Sequence, residues 1–258
     1  MKMNELKLVY FSPTGTTRKV IMEAARSIDL KSTSHDFSVY KEKKPVLKFA
    51  ENDFALFGIP VYYGRVPALF TEYLKGITGN GTPAALIATY GCRDYEDALL
   101  ELKDIVEKNG FKVIAAAAFP AEHSLDPTIG ARRPNKADLK TIAEYGVELN
   151  RRIKKSDTFD SFDISLPGNT PYRKYGKNML FPKADVNSCT ECKACAKVCP
   201  AGAISLKDPK KTDKDKCIGC LKCVRICRQN ARSVNSLKMK MVTSRLSKVC
   251  QSDKKADI

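Results

Sequence analysis

The stretch "LKLVYFSPTGTT", residues 6–17, joins a compact apolar run to a loop of small hydroxyl residues. The run at 6–12 has the composition of a buried strand, and residues 16–29 have helical spacing. Small residues around Gly15 let the backbone curl, so that N–H groups and hydroxyls converge on an anion at the helix N-terminus. Neither GxxxxGK[ST] nor GxGxxG occurs here, so the loop predicts a site for a single terminal phosphate.

The alternation of strand, loop and helix continues along the first 155 residues. Apolar runs occur at 6–12, 35–40, 53–60, 84–89 and 111–119, and helical spacing occurs at 16–29, 67–77, 94–109 and 136–155. Thr16 or Thr17 is placed to cap the first helix, and Gly110 to end the third. The pattern predicts an α/β fold with a doubly wound five-stranded parallel sheet, which binds ligands outside the carboxyl ends of its strands.

Two further loops follow strands at that predicted edge. "GIPVYYGRVP" (58–67) follows the third strand and "TYGCRDYEDAL" (89–99) follows the fourth. Both combine aromatic residues with glycines, which suits a flat ring system held between two loops. The simpler interpretation is that the tyrosines only cover the rim of the sheet. It is weaker because three loops of matching chemistry follow these strands.

Eight of the ten cysteines lie in one short segment. "CTECKACAKVCPAGAISL" (189–206) and "CIGCLKCVRICRQNARSV" (217–234) align without a gap at an offset of 28 residues, and all four cysteines of each coincide. This is an internal duplication. Each unit reads C-x2-C-x2-C-x3-C, in which three thiolates from one short loop suit a [4Fe–4S] cluster.

Two other uses of the cysteines fit the sequence less well. A structural zinc ribbon uses two C-x2-C pairs and does not need a third thiol three residues later. A disulfide framework suits short secreted chains, but the start of this chain reads as a strand rather than a signal peptide. With no long apolar stretch either, we expect a cytoplasmic protein.

These motifs resemble those of two known families. The pattern S-x-T-G-x-T after the first strand resembles the FMN-phosphate loop of flavodoxins, and the cysteine units resemble bacterial two-cluster ferredoxins. The loop at 121–139 is also similar to a loop in proteins that fuse a flavodoxin to such a ferredoxin. Residues 6 to about 235 thus resemble the flavodoxin–ferredoxin fusion proteins, found mostly in anaerobic bacteria and archaea. The resemblance implies a flavodoxin-like fold plus a small α+β ferredoxin domain, with FMN and two [4Fe–4S] clusters.

The resemblance also assigns residues to each cofactor. The phosphate loop of FMN would be formed by Ser12, Thr14, Gly15, Thr16 and Thr17. One side of the flavin ring would meet Pro60, Val61, Tyr62, Tyr63 and Gly64, and the other side Tyr90, Gly91, Arg93 and Tyr95. One cluster would be held by Cys189, Cys192, Cys195 and Cys227, and the other by Cys217, Cys220, Cys223 and Cys199. No catalytic side chain is implied.

One position departs from the ferredoxin pattern. Cys199 is followed by Pro200, as the family expects, but Cys227 is followed by Arg228. A cation beside Cys227 favours the more negative, reduced state of its cluster and therefore raises its potential.

The chain divides into four segments by composition. We expect an FMN-binding domain at 1–155, a linker or wrapping segment at 156–185, a two-cluster ferredoxin domain at 186–236 and a basic tail at 237–258. The linker is rich in proline, glycine and basic residues. The end of the tail is polar and charged, which predicts disorder.

The net charge of +16 lies almost entirely in the second part of the chain. Residues 1–150 carry 20 basic and 19 acidic side chains, whereas residues 151–258 carry 25 and 10. Cluster and flavin charges would offset part of this excess. We interpret the remainder as steering towards a redox protein with an acidic surface. Contact with nucleic acid or an anionic membrane is a weaker interpretation.

Two functions fit these features. The first is an electron-transfer protein in which the cofactors carry the chemistry. The alternative is a flavin-dependent reductase, an FMN- and [4Fe–4S]-dependent oxidoreductase that acts on a small acceptor such as a quinone, disulfide or flavin. The role predicted for Cys92 is that of a buried thiol, for His123 a structural hydrogen bond, and for Cys250 an exposed thiol in the tail.

Overall fold

The computed structural model describes residues 2–43, 45–156, 158–160, 162–250 and 253–258. Its strands are β1 Leu6–Tyr10, β2 Ser32–Asp36, β3 Leu47–Lys48, β4 Phe54–Pro60, β5 Ile77–Thr78, β6 Thr82–Tyr90, β7 Phe111–Pro120, β8 Lys183–Ala184 and β9 Arg232–Ser233. Its helices are α1 Thr16–Ala25, α2 Ala68–Leu74, α3 Ala98–Lys108, α4 Lys136–Lys155, α5 Ala194–Lys197, α6 Lys222–Arg225 and α7 Ser236–Val249.

In the described part of the chain, five strands form a parallel sheet in the order β2-β1-β4-β6-β7. Numbered along the chain, this is the 2-1-3-4-5 order of flavodoxin-like sheets. The predicted fold class is therefore confirmed. Because β1, β4 and β6 are neighbours, the loops that follow their carboxyl ends lie at one edge of the sheet.

The sheet is covered by helices on both faces. One core cluster joins Val9, Phe57 and Leu86 to side chains of α2 and α3, including Phe70 and Leu102. The other joins Leu8, Leu56 and Ile87 to side chains of α1 and α4, including Ile21 and Leu149. Successive strand residues point to opposite faces, which explains why β6 is buried at every position.

Some predicted boundaries differ from the structure. The second strand lies at Ser32–Asp36 rather than at 35–40, because a polar and largely exposed edge strand lacks the apolar run that the prediction used. Helix α1 is preceded by Gly15 with φ +92° and has no side-chain cap from Thr16 or Thr17. Gly110, with φ +88°, follows α3 as predicted.

The described residues of 156–185, which are 156, 158–160 and 162–185 and are called the wrapping segment below, contact the α/β domain. Buried Asp97 anchors it, since its carboxylate accepts hydrogen bonds from the backbone N–H of Asn169 at 2.9 Å and of Arg173 at 2.7 Å. Ile164 and Leu166 pack against the core on the α2 and α3 side. The predicted linker is thus a fixed part of the fold.

The duplicated cysteine units have the same backbone conformation. Three pairs of residues 28 positions apart all have positive φ angles: Glu191 and Gly219, Lys193 and Leu221, Gly202 and Asn230. In each unit the second of these positions precedes a four-residue helix, α5 or α6. Five of these six angles lie between 51° and 62°, although only one of those five residues is glycine. Left-handed non-glycine residues are uncommon and occur where function constrains the backbone.

The C-terminal segment, residues 253–258, contacts the α/β domain instead of being disordered as predicted. Asp257 pairs with Ala118 on the edge strand β7 through two backbone hydrogen bonds of 2.7 and 2.9 Å. Residues 251–252 lie outside the described part of the tail. Within the described residues, none of the helices has the length and apolar character needed to cross a membrane.

Candidate functional site

The loop at 12–17, the phosphate loop, is closed at its base by its own hydrogen bonds. The backbone N–H of buried Ser12 donates to the hydroxyl of Ser38 at 2.7 Å. The Ser12 hydroxyl accepts from the N–H of Arg18 at 2.9 Å, and Gly15 donates to the Ser12 carbonyl at 3.1 Å. This curled backbone leads directly into the N-terminus of α1, whose first N–H groups have no partner within the helix and can bind an anion.

Thr17 connects the phosphate loop to a neighbouring strand. Its buried hydroxyl lies 2.6 Å from that of Thr89, which in turn donates to the carbonyl of Ile59. Thr14 and Thr16 are half-exposed. The structure therefore divides the five predicted residues: Ser12 and Thr17 shape the loop, while Thr14, Gly15 and Thr16 face its accessible side.

The loop at 58–67, the first aromatic loop, makes a tight turn. Tyr62 and Arg65 exchange backbone hydrogen bonds of 3.1 and 3.0 Å, and Tyr63 and Gly64 between them have φ angles of 56° and 74°. Positive φ at both central positions is typical of a type I′ turn. A Cβ at Gly64 would overlap the Glu96 carboxylate, so the second aromatic loop packs directly on this glycine.

Arg65 fixes this turn to the rest of the domain, and the sequence interpretation missed it. Its guanidinium makes two hydrogen bonds of 2.7 Å to the buried carboxylate of Glu101. It also lies over the rings of Tyr172 and Tyr175, at 4.8 and 4.3 Å from the ring centroids. The ion pair and the wrapping segment thus hold the first aromatic loop in place.

Two residues of the loop at 89–99, the second aromatic loop, lie elsewhere than predicted. Tyr90 and Tyr95 are buried, with ring centroids 5.7 Å apart. The Tyr90 hydroxyl donates to the Lys255 carbonyl at 3.3 Å, and the Tyr95 hydroxyl donates to the Asp257 carboxylate. Burial raises the pKa of Tyr90 to about 12. Both hydroxyls therefore donate their hydrogen bonds to the C-terminal segment.

Gly91 and His123 are in close contact at the same edge. A Cβ at Gly91 would overlap the His123 ring, whose Nδ1 accepts a hydrogen bond from Leu125 N–H at 3.2 Å. Burial lowers the pKa of His123 below its ordinary value, which favours the neutral ring. The structural hydrogen bond predicted for His123 is present. Cys92, with its thiol 3.5 Å from the Ala121 carbonyl, is buried as expected.

The remaining residues assigned to the flavin ring lie at the surface of these loops. Val61 N–H donates to the Thr89 carbonyl at 2.8 Å, which ties the two aromatic loops together. Pro60, Val61 and Tyr62 are half-buried and Tyr63 is exposed. Arg93 is half-buried and pairs with Glu96 at 2.7 Å. The edge thus offers backbone and aromatic groups beside the phosphate loop.

The eight cysteines line two separate cavities. Cys199, Cys217, Cys220 and Cys223 line the first, the inner cavity. Cys189, Cys192, Cys195 and Cys227 line the second, the outer cavity. In each, three cysteines come from one unit and the fourth from the other, which is the exchange that the ferredoxin resemblance implies.

The two cavities differ in exposure. Cys199, Cys220 and Cys223 of the inner cavity are each 9% exposed, whereas Cys192 of the outer cavity is exposed. Burial raises the pKa of Cys220 to about 12 and of Cys223 to about 11. Thiolates at such sites need a cationic group beside them.

The donor chemistry fits a cluster better than a single ion. Across the described residues, no three His, Cys, Asp or Glu side chains come together closely enough to hold one metal ion. Four thiols around a cavity instead leave space for an inorganic core between them. The residues therefore fit an iron–sulfur cluster in each cavity, as the duplicated spacing predicts.

The inner cavity lies against the α/β domain. Tyr40, which follows β2, donates from its backbone to the Cys199 carbonyl at 3.2 Å, and Arg225 donates to the Ser124 carbonyl at 3.2 Å. The wrapping segment adds a bond of 2.9 Å from Asn178 to the Cys217 carbonyl. Burial, and then the nearby Cys220, raise the pKa of Tyr62 well above its ordinary value. The inner cavity and the first aromatic loop are thus neighbours.

Comparison with known proteins identifies the cysteine segment. Residues 188–232 match the family described as 4Fe-4S dicluster domain. A search among curated proteins finds no match. The solved structures that are similar include a flavodoxin from the domain Archaea, with 16% identity, 58% of this chain and 99% of that chain covered, and a TM-score of 0.41.

Two further solved structures are similar to the α/β part. One is the Fusobacterium nucleatum flavodoxin bound to flavin mononucleotide, with 18% identity, coverage of 58% of this chain and 99% of that chain, and a TM-score of 0.40. The other is rubredoxin oxygen:oxidoreductase from the anaerobe Desulfovibrio gigas, with 13% identity, coverage of 59% and 37%, and a TM-score of 0.43.

Strand order and family match together define the architecture. The 2-1-3-4-5 parallel sheet is flavodoxin-like, and it is followed along the chain by a 4Fe-4S dicluster segment. The chain thus combines the two parts that its sequence resemblance to flavodoxin–ferredoxin fusion proteins implies.

Proposed function

We propose that this protein is an electron carrier that holds two [4Fe–4S] clusters and FMN and exchanges electrons with a redox partner. When bound, FMN supplies one- and two-electron chemistry and each cluster supplies one-electron chemistry. The chain contributes ligands, exclusion of water and the order of the sites. In this proposal residues 1–155 bind FMN, 156–185 wrap, 186–236 bind the clusters and 237–258 form the tail.

The contact between the inner cavity and the flavin loops carries this proposal. The backbone N–H of Tyr40 donates to the Cys199 carbonyl, and the Arg225 side chain donates to the Ser124 carbonyl. Beyond the effect of burial, Cys220 lies close enough to Tyr62 to raise its pKa, so the inner cysteines lie beside the first aromatic loop. The outer cavity has an exposed cysteine, Cys192. These observations support an electron path in the order surface, outer cavity, inner cavity and flavin loops.

The same contacts favour a carrier over a reductase for small acceptors. A reductase needs open space over the flavin ring for its substrate. Here the cysteine segment occupies space next to the first aromatic loop, and buried Tyr90 and Tyr95 are covered by the C-terminal segment. Electron transfer requires no acid, base or nucleophile. The Nδ1 of His123 already accepts a hydrogen bond from the backbone N–H of Leu125.

The outer cavity suits a partner with an acidic surface. Lys193 and Arg228 are both exposed and both line this cavity beside Cys192. Such exposed cations accelerate encounter with an oppositely charged surface in a salt-dependent way. We therefore propose that the partner docks here.

Anaerobic purification with quantification of iron, acid-labile sulfide and FMN tests the proposal. We expect about eight irons, eight sulfides and one FMN per chain. A potentiometric titration of the same sample should place the flavin within reach of the clusters. Zinc in place of iron, or the absence of FMN after reconstitution with it, would exclude the carrier as proposed. Rapid turnover of a small quinone or disulfide would favour the reductase.

A further inference from the structure

A buried arginine lies at the wall of the outer cavity. Arg232, in β9, is only 3% exposed. Its guanidinium donates to the carbonyls of Pro209 at 3.0 Å and Lys211 at 3.3 Å, and to the Thr212 hydroxyl at 3.1 Å. Its Nε is buried as well but has no hydrogen-bond partner. An unpaired buried N–H on a guanidinium lowers stability unless a ligand accepts a hydrogen bond from it.

The duplication provides an internal comparison for this arginine. At the offset of 28 residues, Arg232 corresponds to Ile204. Ile204 is 5% exposed and lines the inner cavity, as Arg232 lines the outer one. Two equivalent buried positions therefore differ by one full positive charge.

The other charged groups around the cavities do not repeat this difference. At the outer cavity, Lys193, Arg228 and Glu191 are exposed, and Glu191 pairs with Lys210 at 2.6 Å. At the inner cavity, Lys222 is half-exposed. Water and salt screen such charges far more than a buried one. Arg232 lines only the outer cavity, although its charge also favours the thiolate forms of Cys217 and Cys223 at the inner cavity. Its effect is therefore expected at both sites, and is expected to be larger at the outer one, which it lines.

We propose that Arg232 sets the order in which the two clusters are reduced, with its Nε–H donating to a sulfur of the outer cluster. One-electron reduction takes a [4Fe–4S] core with four thiolates from a charge of −2 to −3. A buried cation and a hydrogen bond to sulfur stabilise the more negative state and raise the potential. The outer cluster is therefore reduced before the inner cluster. This inference rests on the proposed function, because it requires both clusters.

An EPR-monitored redox titration of anaerobically reconstituted protein tests the inference. Arg232→Met should retain about eight irons, while the equilibrium constant for electron transfer from inner to outer cluster falls at least tenfold, equivalent to about 59 mV for one electron. Arg232→Lys, which keeps the positive charge, should restore most of this equilibrium constant. Arg228→Met, which removes an exposed cation from the same cavity, should have a smaller effect. Cys192→Ser, which alters only the outer ligand set, assigns the signals.

A second pair of variants decides the case in which Arg232→Met fails to fold or loses iron. Arg232→Gln and Arg232→Lys are both long and polar but differ in charge, so the Gln variant should have the lower outer potential. Equal potentials in this pair, or an unchanged potential in a fully loaded Arg232→Met, would overturn the inference. Wild-type protein without clusters would instead refute the proposed function.

Discussion

Asp97 holds the wrapping segment through one buried carboxylate. Burial alone would raise the pKa of this group, but hydrogen bonds from the backbone of Arg173 and Asn169 and from the Asn169 side chain lower it. A carboxyl group whose pKa is lower in the folded state stabilises the fold at pH values above its unfolded pKa. That contribution disappears as the pH falls through the folded pKa.

We expect Asp97→Asn to lower the free energy of unfolding by about 3 kcal/mol at pH 7, because two backbone donors lose a charged acceptor. The difference from wild type should shrink as the pH falls below the ordinary aspartate value of 3.8. Urea denaturation between pH 7 and pH 3 measures both effects. Asp94→Asn, which changes an exposed carboxylate on the same loop, is the control. A pH-independent difference would contradict this account.

Gly64 and Gly81 both favour glycine because of their backbone angles, but only Gly64 also lacks space for a side chain. Both have positive φ, 74° and 68°, so alanine at either position should cost about 1–2 kcal/mol in backbone strain. Only at Gly64 would the new Cβ also overlap a neighbouring side chain, Glu96, whereas at Gly81 it meets Lys112 at 3.6 Å. We therefore expect Gly64→Ala to lose more stability than Gly81→Ala and to retain less FMN, measured by denaturation and flavin fluorescence. Equal losses would show that the close packing at Gly64 has no effect.

Single residues differed in how well the sequence predicted them. The cysteines were predictable because a rigid inorganic core requires thiols at fixed short spacing. Asp97 and Arg65 were missed because their partners lie far along the chain, 76 residues away for Arg173 and 36 for Glu101. Arg228 was predicted to tune a cluster, but it is exposed, and the buried cation is Arg232.

The phosphate loop shows how one strand–loop–helix element builds a site. Its base is fixed by Ser12 and Thr17, and its accessible side carries Thr16 at the first position of α1. We expect Thr16→Val to weaken FMN binding by about tenfold, the effect of one hydrogen bond to a charged group. The control is Thr71→Val, which removes an exposed hydroxyl from α2. Quenching of FMN fluorescence measures both, and equal affinity in the two variants would refute the role of Thr16.

The C-terminal segment pairs with an edge strand. Asp257 pairs with Ala118 on β7 and accepts a hydrogen bond from the Tyr95 hydroxyl. We expect Asp257→Ala to lower the free energy of unfolding by about 1 kcal/mol, since the buried hydroxyl loses its acceptor. Asp253→Ala, at an exposed position in the same segment, should stay within about 0.5 kcal/mol of wild type. Thermal denaturation that ranks the two variants equally would contradict the contact.

Helices and strands were predictable where the pattern that indicates them lies within their own sequence. The buried strands β4, β6 and β7 have long apolar runs, and their predicted positions match the structure closely. The edge strand β2 has no such run and was displaced. The pairing of a polar C-terminal segment with β7 leaves no periodic signal, because it depends on backbone hydrogen bonds and on tyrosines about 160 residues away.

The net positive charge of the molecule is concentrated in residues 151–258, so this part attracts acidic partners most strongly. We expect electron exchange with an acidic ferredoxin, used as a probe, to slow as ionic strength rises, because salt screens exposed charges. Reversal of two exposed charges at the outer cavity, Lys193→Glu with Arg228→Glu, should slow it about tenfold at low salt. The control reverses two exposed lysines, Lys75, which directly follows α2, and Lys140 on α4. Stopped-flow rates that fall equally in both variants would refute docking at the outer cavity.

The arrangement of the two parts could not be read from the sequence. Spacing alone left open whether the flavin and the nearer cluster meet within one chain or across a dimer. The structure holds the inner cavity against the rest of the chain through contacts of Tyr40, Asn178 and Arg225. Cys220 of this cavity lies near Tyr62 of the first aromatic loop. These contacts depend on how the wrapping segment runs over the folded domain, which no local pattern encodes.

Intramolecular electron transfer tests the central claim most directly. The fully loaded protein would be mixed anaerobically with less than one equivalent of a one-electron reductant, and cluster and flavin absorbance followed at several protein concentrations. We predict that flavin reduction follows cluster reduction in a first-order phase whose rate constant is independent of protein concentration. A rate proportional to concentration, or a flavin that stays oxidised although its potential permits reduction, would contradict the account.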